Sequence, residues 1–351
     1  MSSQRPLHVY LDINHWHALA EAAGGHPRSL ADPAVLLQLT NLVDQGVIAL
    51  PLSGLHYMEL AEYANDANRG ATANVMARLS LFQTTAPPDA ILQEEIEQSL
   101  HDRFGRPAHP TMVVKFGVGA GFAFGEPLNL RLDWDSTKQR EEWEARTGTT
   151  AASLLARYQA TAEFLLLVGP PRAHTPQIPG YDPYAARRQA DFELQSLQVM
   201  IANLTTDTEI AQRPKDAIVA RQLMFDMRAL LTPTLIKAGF GMDDWPLDDK
   251  DELTAFLMSL PSRKVAAELQ IYIVRDHTYN WKISDLRDID ALSIAVPHCD
   301  VVVTDSAAWA AVTSQHLDTA FNTVVLRRLY DLGAYLTTIP GQGQQPASNA
   351  P

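Results

Sequence analysis

Cysteine is almost missing from this chain: Cys299 stands alone among 351 residues. No internal disulfide can form, and a reducing compartment is the natural expectation. No stretch approaches the roughly 18 uninterrupted apolar residues of a membrane span. The opening MSSQRPLHVYLD lacks the basic segment and apolar core of a secretory leader. These absences predict a cytoplasmic protein with no membrane partner. Basic residues are also scarce, with 28 Lys and Arg against 41 Asp and Glu for a formal charge of -13. Such a surface repels a polyanion, so a nucleic-acid partner needs a local basic patch or bound cations. There is no repeat at periods of about 20 to 50 residues. There is no phosphate loop either, because GVGAGFAFG at 117–125 lacks the Lys-Ser/Thr that such a loop carries. That segment reads as a glycine-rich turn or a loop that closes over a substrate.

Apolar residues make up 46% of the chain, enough for a large core. LHVYL at 7–11 reads as a buried strand ending at Asp12, with helical spacing from about Asn14 to Ala23. Residues 33–45 read as a helix and VIALPL at 47–52 as a strand, with Ser53 placed to cap a helix carrying Leu55, Met58 and Leu60. Further helices are expected over 74–81 and 91–100, with LFQTTAPP as strand and turn between them. Residues 101–135 show little periodicity, whereas 137–168 and 185–238 are helical in composition, with PGYDPY at 179–184 as a break. From Leu260 the alternation returns: a helix over 261–274, another from Ser284, the strand in DVVVTD, then helices to about Leu336. The prediction is an α/β fold, a parallel sheet flanked by helices, built from 7–100 and 261–338. A mostly α-helical insertion fills 101–260, and 339–351 is a polar tail too poor in apolar surface to order.

Ligands of such sheets sit at the carboxyl ends of the strands. Asp12 closes the first strand and Asp305 the last, on that edge; each also suits a helix N-cap. Glu59 lies just past VIALPL and so stays near the same edge, while Glu62, one turn on, reads as a solvated face. On the helix from Ser284, Asp285 and Asp288 share a face, whereas Asp288 and Asp290 diverge by about 200°. Asp300, preceding VVVT, belongs to the opposite strand end as a turn residue. Converging carboxylates repel, and either protonation or a divalent cation relieves them. With oxygen ligands alone, Mg²⁺ or Mn²⁺ is expected rather than zinc. A metal-activated water at such a site suits phosphodiester hydrolysis.

The strings VYLDINHW, VIALPLSGLHYMELAEY and SDLRDIDALSIAVPHCDVVVTD resemble the successive signatures of PIN-like nuclease domains. The matching positions are Asp12, Glu59, Asp288 and Asp305, with Asp285 at a further acidic position of some bacterial members and Asn14 at the small polar residue after the first Asp. DALSIA puts Asp290 where the commonest motif has its Asp, while the distance to VVVTD and the helix direction favour Asp288. The resemblance implies a Rossmann-like core and a metal-dependent endonuclease acting mostly on RNA. It implies catalytic Asp12, Glu59, Asp288 and Asp305, joined by Asp285 as metal ligands. Many members are toxins held by an inhibitory protein partner, and a homodimer is compatible with the reading. The insertion has no counterpart in the usual, far shorter domain.

A second enzyme reading is a haloacid-dehalogenase-like phosphohydrolase with Asp12 as nucleophile, though Asn14 stands where that family prefers a second Asp. A third is a catalytically inactive adaptor whose insertion binds a protein. His15 and His17, the His298–Cys299 pair, the Arg187–Arg188 and Arg327–Arg328 pairs and the scattered Trp residues read as structural or solvated.

Overall fold

Leu7–Leu11 forms the central strand β1 because both of its faces find apolar cover. Val9 and Leu11 point into one hydrophobic cluster with Trp16, Leu39, Leu60 and Met76, while Tyr10 points into the opposite one with Leu260, Val265 and Leu292. The computed structural model describes residues 5–26, 32–126, 130–179, 181–206, 213–241, 249–276 and 279–339. In chain order the further strands are β2 (Ile48–Ala49), β3 (Gln83–Thr85), β4 (Phe116–Val118), β5 (Val301–Val303) and β6 (Val324–Leu326). A four-stranded sheet runs in the order β2-β1-β5-β6, all parallel, with Leu7 opposite Ile48, Val9 opposite Val301 and Val303 opposite Leu326. β5 repeats the alternation of β1, with Val301 and Val303 on one side and Val302 on the other. A run of three valines is what a strand buried on both faces requires.

The protein is mixed α/β and 66% helical, with helices on both faces of the parallel sheet. No helix of the described residues is long and apolar enough to cross a membrane. Asp300 does lie at the amino end of β5: it accepts the His8 N–H at 2.8 Å and a two-pronged pair from Arg5 at 2.7 and 2.8 Å. That clamp ties the amino ends of β1 and β5 and leaves their carboxyl ends to carry chemistry.

Three strand readings need correction. VIALPL pairs only over Ile48–Ala49; Pro51 has no N–H for a ladder, and beyond it Leu52 makes a single parallel bridge to Thr84 of β3. β4, antiparallel to β3, lies in the stretch that shows no periodicity. β6 interrupts the expected run of helices, so Asp305 closes β5 and not the last strand. Both overlooked strands are three residues long, too short for a period of two to register. The expected tail lies outside the described residues from residue 340 onward.

The helices of residues 101–260 pack onto the sheet layers. Leu197, Ile218, Leu235 and Phe256 belong to the same cluster as Val302, and Leu167 joins the opposite one. The glycine-rich segment is the clasp of one such contact. Glu163, 9% exposed on the helix Ala151–Val168, accepts the Ala120 N–H at 2.7 Å. Gly119 has φ +91°, and a Cβ there would lie 2.2 Å from the Glu163 carboxylate. The segment is therefore a tight turn moulded around a buried carboxylate. Gly119→Ala combines a forbidden backbone region with a clash, and is expected to cost about 2–4 kcal/mol by chemical denaturation; an effect below about 0.5 kcal/mol would show that the turn relaxes freely.

Candidate functional site

The site is assembled at the carboxyl ends of β1 and β5. Asp12 follows β1 in extended conformation, its N–H bonded to Val303 O at 3.0 Å, and caps the helix Ile13–Ala23 through a 3.3 Å contact from the Asn14 N–H. Asp305 caps the helix Ser306–Ser314 more tightly, one oxygen accepting the Ala307 and Ala308 N–H groups at 2.8 Å each. Both aspartates thus serve as caps and face the sheet edge as well.

Glu59 comes from the helix Gly54–Glu62, whose start is fixed by His56. The Ser53 N–H donates to His56 Nδ1 at 2.9 Å, so the ring proton sits on Nε2, which donates to Leu11 O at 2.9 Å. This imidazole, 1% exposed, joins the last residue of β1 to the first turn of the helix bearing Glu59. Burial holds its pKa down to about 4, so it is neutral at physiological pH. Ser53 is the N-cap position, as the sequence predicts, but the bond that matters is the one returned by His56.

The helix Ile283–His298 supplies Asp285, Asp288 and Asp290 in three roles. Asp288 shares a cavity of about 10 Å³ with Tyr10, Asp12, Glu59, Arg287 and Thr304, room for about one water-sized guest. Asp285 accepts the Lys282 N–H at 2.7 Å and the Tyr279 hydroxyl at 2.9 Å. With Asp288 it lines a larger groove of about 690 Å³ that also contains Tyr272, Arg275 and Ala308. Asp290 points the other way, into a separate cavity, as its angular separation from Asp288 demands.

The electrostatics record the crowding. Asp288 is pushed up to about 8, first by burial and then by Asp12, Asp305, Glu59 and Asp285. Glu59 is pushed up to about 7 by burial, with Arg287 opposing and Asp12 and Glu62 reinforcing. Burial also raises Asp12, against the Asn14 N–H and His15, and lowers His15 against the pull of Asp12. Asp12, Glu59 and Asp288 therefore converge on one space, Asp305 acts on it from beside Asp12, and Asp285 stands at the groove wall.

Sequence reasoning missed Arg287 and misread Glu62. Arg287 forms a two-pronged ion pair with Glu62 and lies 3.7 Å from Glu59, so the supposedly solvated Glu62 orients the one guanidinium inside the acidic cavity. An arginine within the acidic string SDLRDID was the available signal. His15, set aside as structural, stands beside Asp12, and its Nε2 is buried without a partner. Arg188 pairs with Asp182, Arg328 with Asp331, and Arg327 stacks over Trp309, and none of them lines the carboxylate cavity.

The donor set is all oxygen and electrostatically strained, which fits a hard divalent cation. Among the described residues, no group of three or more His, Cys, Asp or Glu side chains is arranged to hold a metal ion as it stands. No family model, curated protein or solved structure matches this chain.

Two predictions follow from the pKa directions. Because the folded pKa of Asp288 lies above its usual value, its contribution to stability is fully present below about pH 4 and is lost as pH rises through about 8. Asp288→Asn removes that loss, so the variant should exceed the parent in unfolding free energy by about 1–3 kcal/mol more at pH 8 than at pH 4; equal differences at the two pH values would contradict the shift. The depressed pKa of His56 acts in the opposite sense: its stabilisation is present above about 6.5 and lost as pH falls through about 4. His56→Ala leaves the Leu11 carbonyl and the Ser53 N–H without their partner, and is expected to cost about 2–4 kcal/mol at pH 7 and less at pH 4, read by urea unfolding.

Proposed function

We infer that the chain is a divalent-metal-dependent phosphodiester hydrolase, an endonuclease of the PIN-like kind acting on RNA. The observation that carries this reading is the convergence of Asp12, Glu59 and Asp288, from three separate segments, on a cavity sized for one small guest at the carboxyl edge of a parallel sheet. Their mutual repulsion weakens folding, and such crowding is characteristic of functional sites.

Asp12, Glu59, Asp288 and Asp305 would hold Mg²⁺ or Mn²⁺, with Asp285 in reach from the groove wall. When bound, such an ion supplies a more acidic water and neutralises charge on the phosphate. The chain's own residues account for the rest. A Glu59 oxygen not engaged by the ion would be placed to take a proton from an attacking water. Arg287, steadied by Glu62, offsets negative charge beside Glu59. In the adjoining groove, Tyr272 and Tyr279 offer ring faces to bases, and Arg275 offers a guanidinium to the backbone. Among the described residues Arg275 is the one basic group lining the groove, which it shares with Asp285 and Asp288, and this suits a chain whose net charge repels nucleic acid.

The phosphohydrolase alternative, with Asp12 as nucleophile, gains nothing here. Among the described residues no lysine lines the small cavity, and its cation is Arg287, already engaged by Glu62.

A labelled single-stranded RNA, incubated with the protein and Mn²⁺ or Mg²⁺, should be cut internally, and EDTA should stop the reaction. Asp12→Asn and Asp288→Asn should each lower kcat by on the order of 100-fold or more. Undiminished cleavage by Asp12→Asn, or cleavage indifferent to EDTA, would refute the assignment; a matched DNA strand run in parallel decides the substrate.

A further inference from the structure

On the opposite face of the helix Ile283–His298 lies a second cavity, of about 490 Å³, within the range of small-molecule sites. It is bounded by the sheet layer on one side and by the added helices on the other. Its polar lining includes Asp89, Glu193, Arg221, Asp226, Arg263, Gln270 and Asp290, and its apolar wall includes Leu55, Phe124 and Leu286. Asp12, Glu59, Arg287 and Asp288 of the carboxylate site lie outside this lining, although Tyr10 and Leu55 border both cavities.

The charges in this cavity are incompletely matched. Asp226 is met by Arg221 at 3.0 Å. Asp290 and Arg263 have no such partner among the described residues: neither side chain forms an ion pair or a hydrogen bond, and Arg263 Nε is buried without one. Asp290 is exposed to solvent through the cavity and feels the positive charge of Arg263. The two groups thus sense each other across the cavity without touching. The half-buried guanidinium has its Nε shut off from water without a partner, which is unfavourable, and a guest that offers it a carboxylate relieves this while its other end meets Asp290.

The backbone adds an independent sign. Residues Gln222–Asp226 form a π-helical turn, which carries Asp226 to the cavity. Such turns interrupt normal helical hydrogen bonding and are frequent at functional sites. At its start, Gln222 is fully buried and donates to Gln270 at 3.3 Å, while its own Oε1 has no partner.

We propose that this cavity binds a small zwitterion of the amino-acid type, its carboxylate on Arg263, its ammonium on Asp290, and an apolar side chain against Leu55 and Phe124. Guanidinium and carboxylate form the two-pronged pair that gives such recognition its direction. The apolar wall selects leucine-like or phenylalanine-like bodies over charged ones. Because none of the carboxylates of the Asp12 cluster lines this cavity, the inference stands whether or not the chain is a nuclease.

The full chain would be titrated calorimetrically with L-phenylalanine and L-leucine at millimolar concentration, alongside N-acetyl-L-phenylalanine, which lacks the ammonium, and L-phenylalaninamide, which lacks the carboxylate. At least one free amino acid should bind, and each blocked form should bind about tenfold more weakly or worse. Arg263→Met and Asp290→Asn should each abolish binding, whereas Asp12→Asn should leave it unchanged. Each cavity variant removes a charge that lacks an ion-pair partner, so both should fold with a Tm at or above that of the parent; if one fails to fold, the other decides. Absence of binding by both amino acids, equal binding of the blocked forms, or binding that survives in a folded cavity variant would overturn the proposal.

Discussion

One neutral imidazole sets the geometry on which the acidic site depends. His56 receives the Ser53 N–H on one nitrogen and donates from the other to Leu11 O, so the end of β1 and the beginning of the next site helix share a single rigid ring. Asp12 follows directly from the first and Glu59 lies one turn along the second. Their approach is therefore enforced by a buried group that carries no charge at neutral pH. A charged linker in that place would have neutralised the carboxylates it positions.

The repulsion so enforced is partly balanced. Arg287 stands among the acids but gives its closest contacts to Glu62, which leaves it as a fixed positive field rather than a plug. The helix Ile283–His298 then divides its acids by angle. Asp288 faces the sheet edge and Asp290 faces away, because residues two apart on a helix point in nearly opposite directions. A single element thereby borders two polar cavities with no shared carboxylate.

The long additional region works as part of the same body. Its apolar residues join the clusters that cover both faces of the sheet, and its Glu163 is gripped by the Gly119 turn. The second cavity exists only because those helices close over the face of the Ile283–His298 helix that the sheet leaves open. Removing them would take away Glu193, Arg221 and Asp226 and dissolve the arrangement.

The chain's letters alone determined the parallel sheet and the helices on its flanks, since uninterrupted Val and Leu runs at β1 and β5 admit only strands covered on both faces. They also determined that Asp12 and Asp305 close strands on one edge, and that Asp288 and Asp290 diverge. β4 and β6 escaped detection because three residues carry no readable period. Arg287 escaped because an ion pair with Glu62, 225 residues away in sequence, leaves no local trace. Tertiary structure decided the partnerships: which acid meets which, that His56 is the link, and that Asp290 has a cavity of its own. Spacing along one helix fixes direction, but contacts between distant segments depend on how the layers pack, and that is a property of the whole fold.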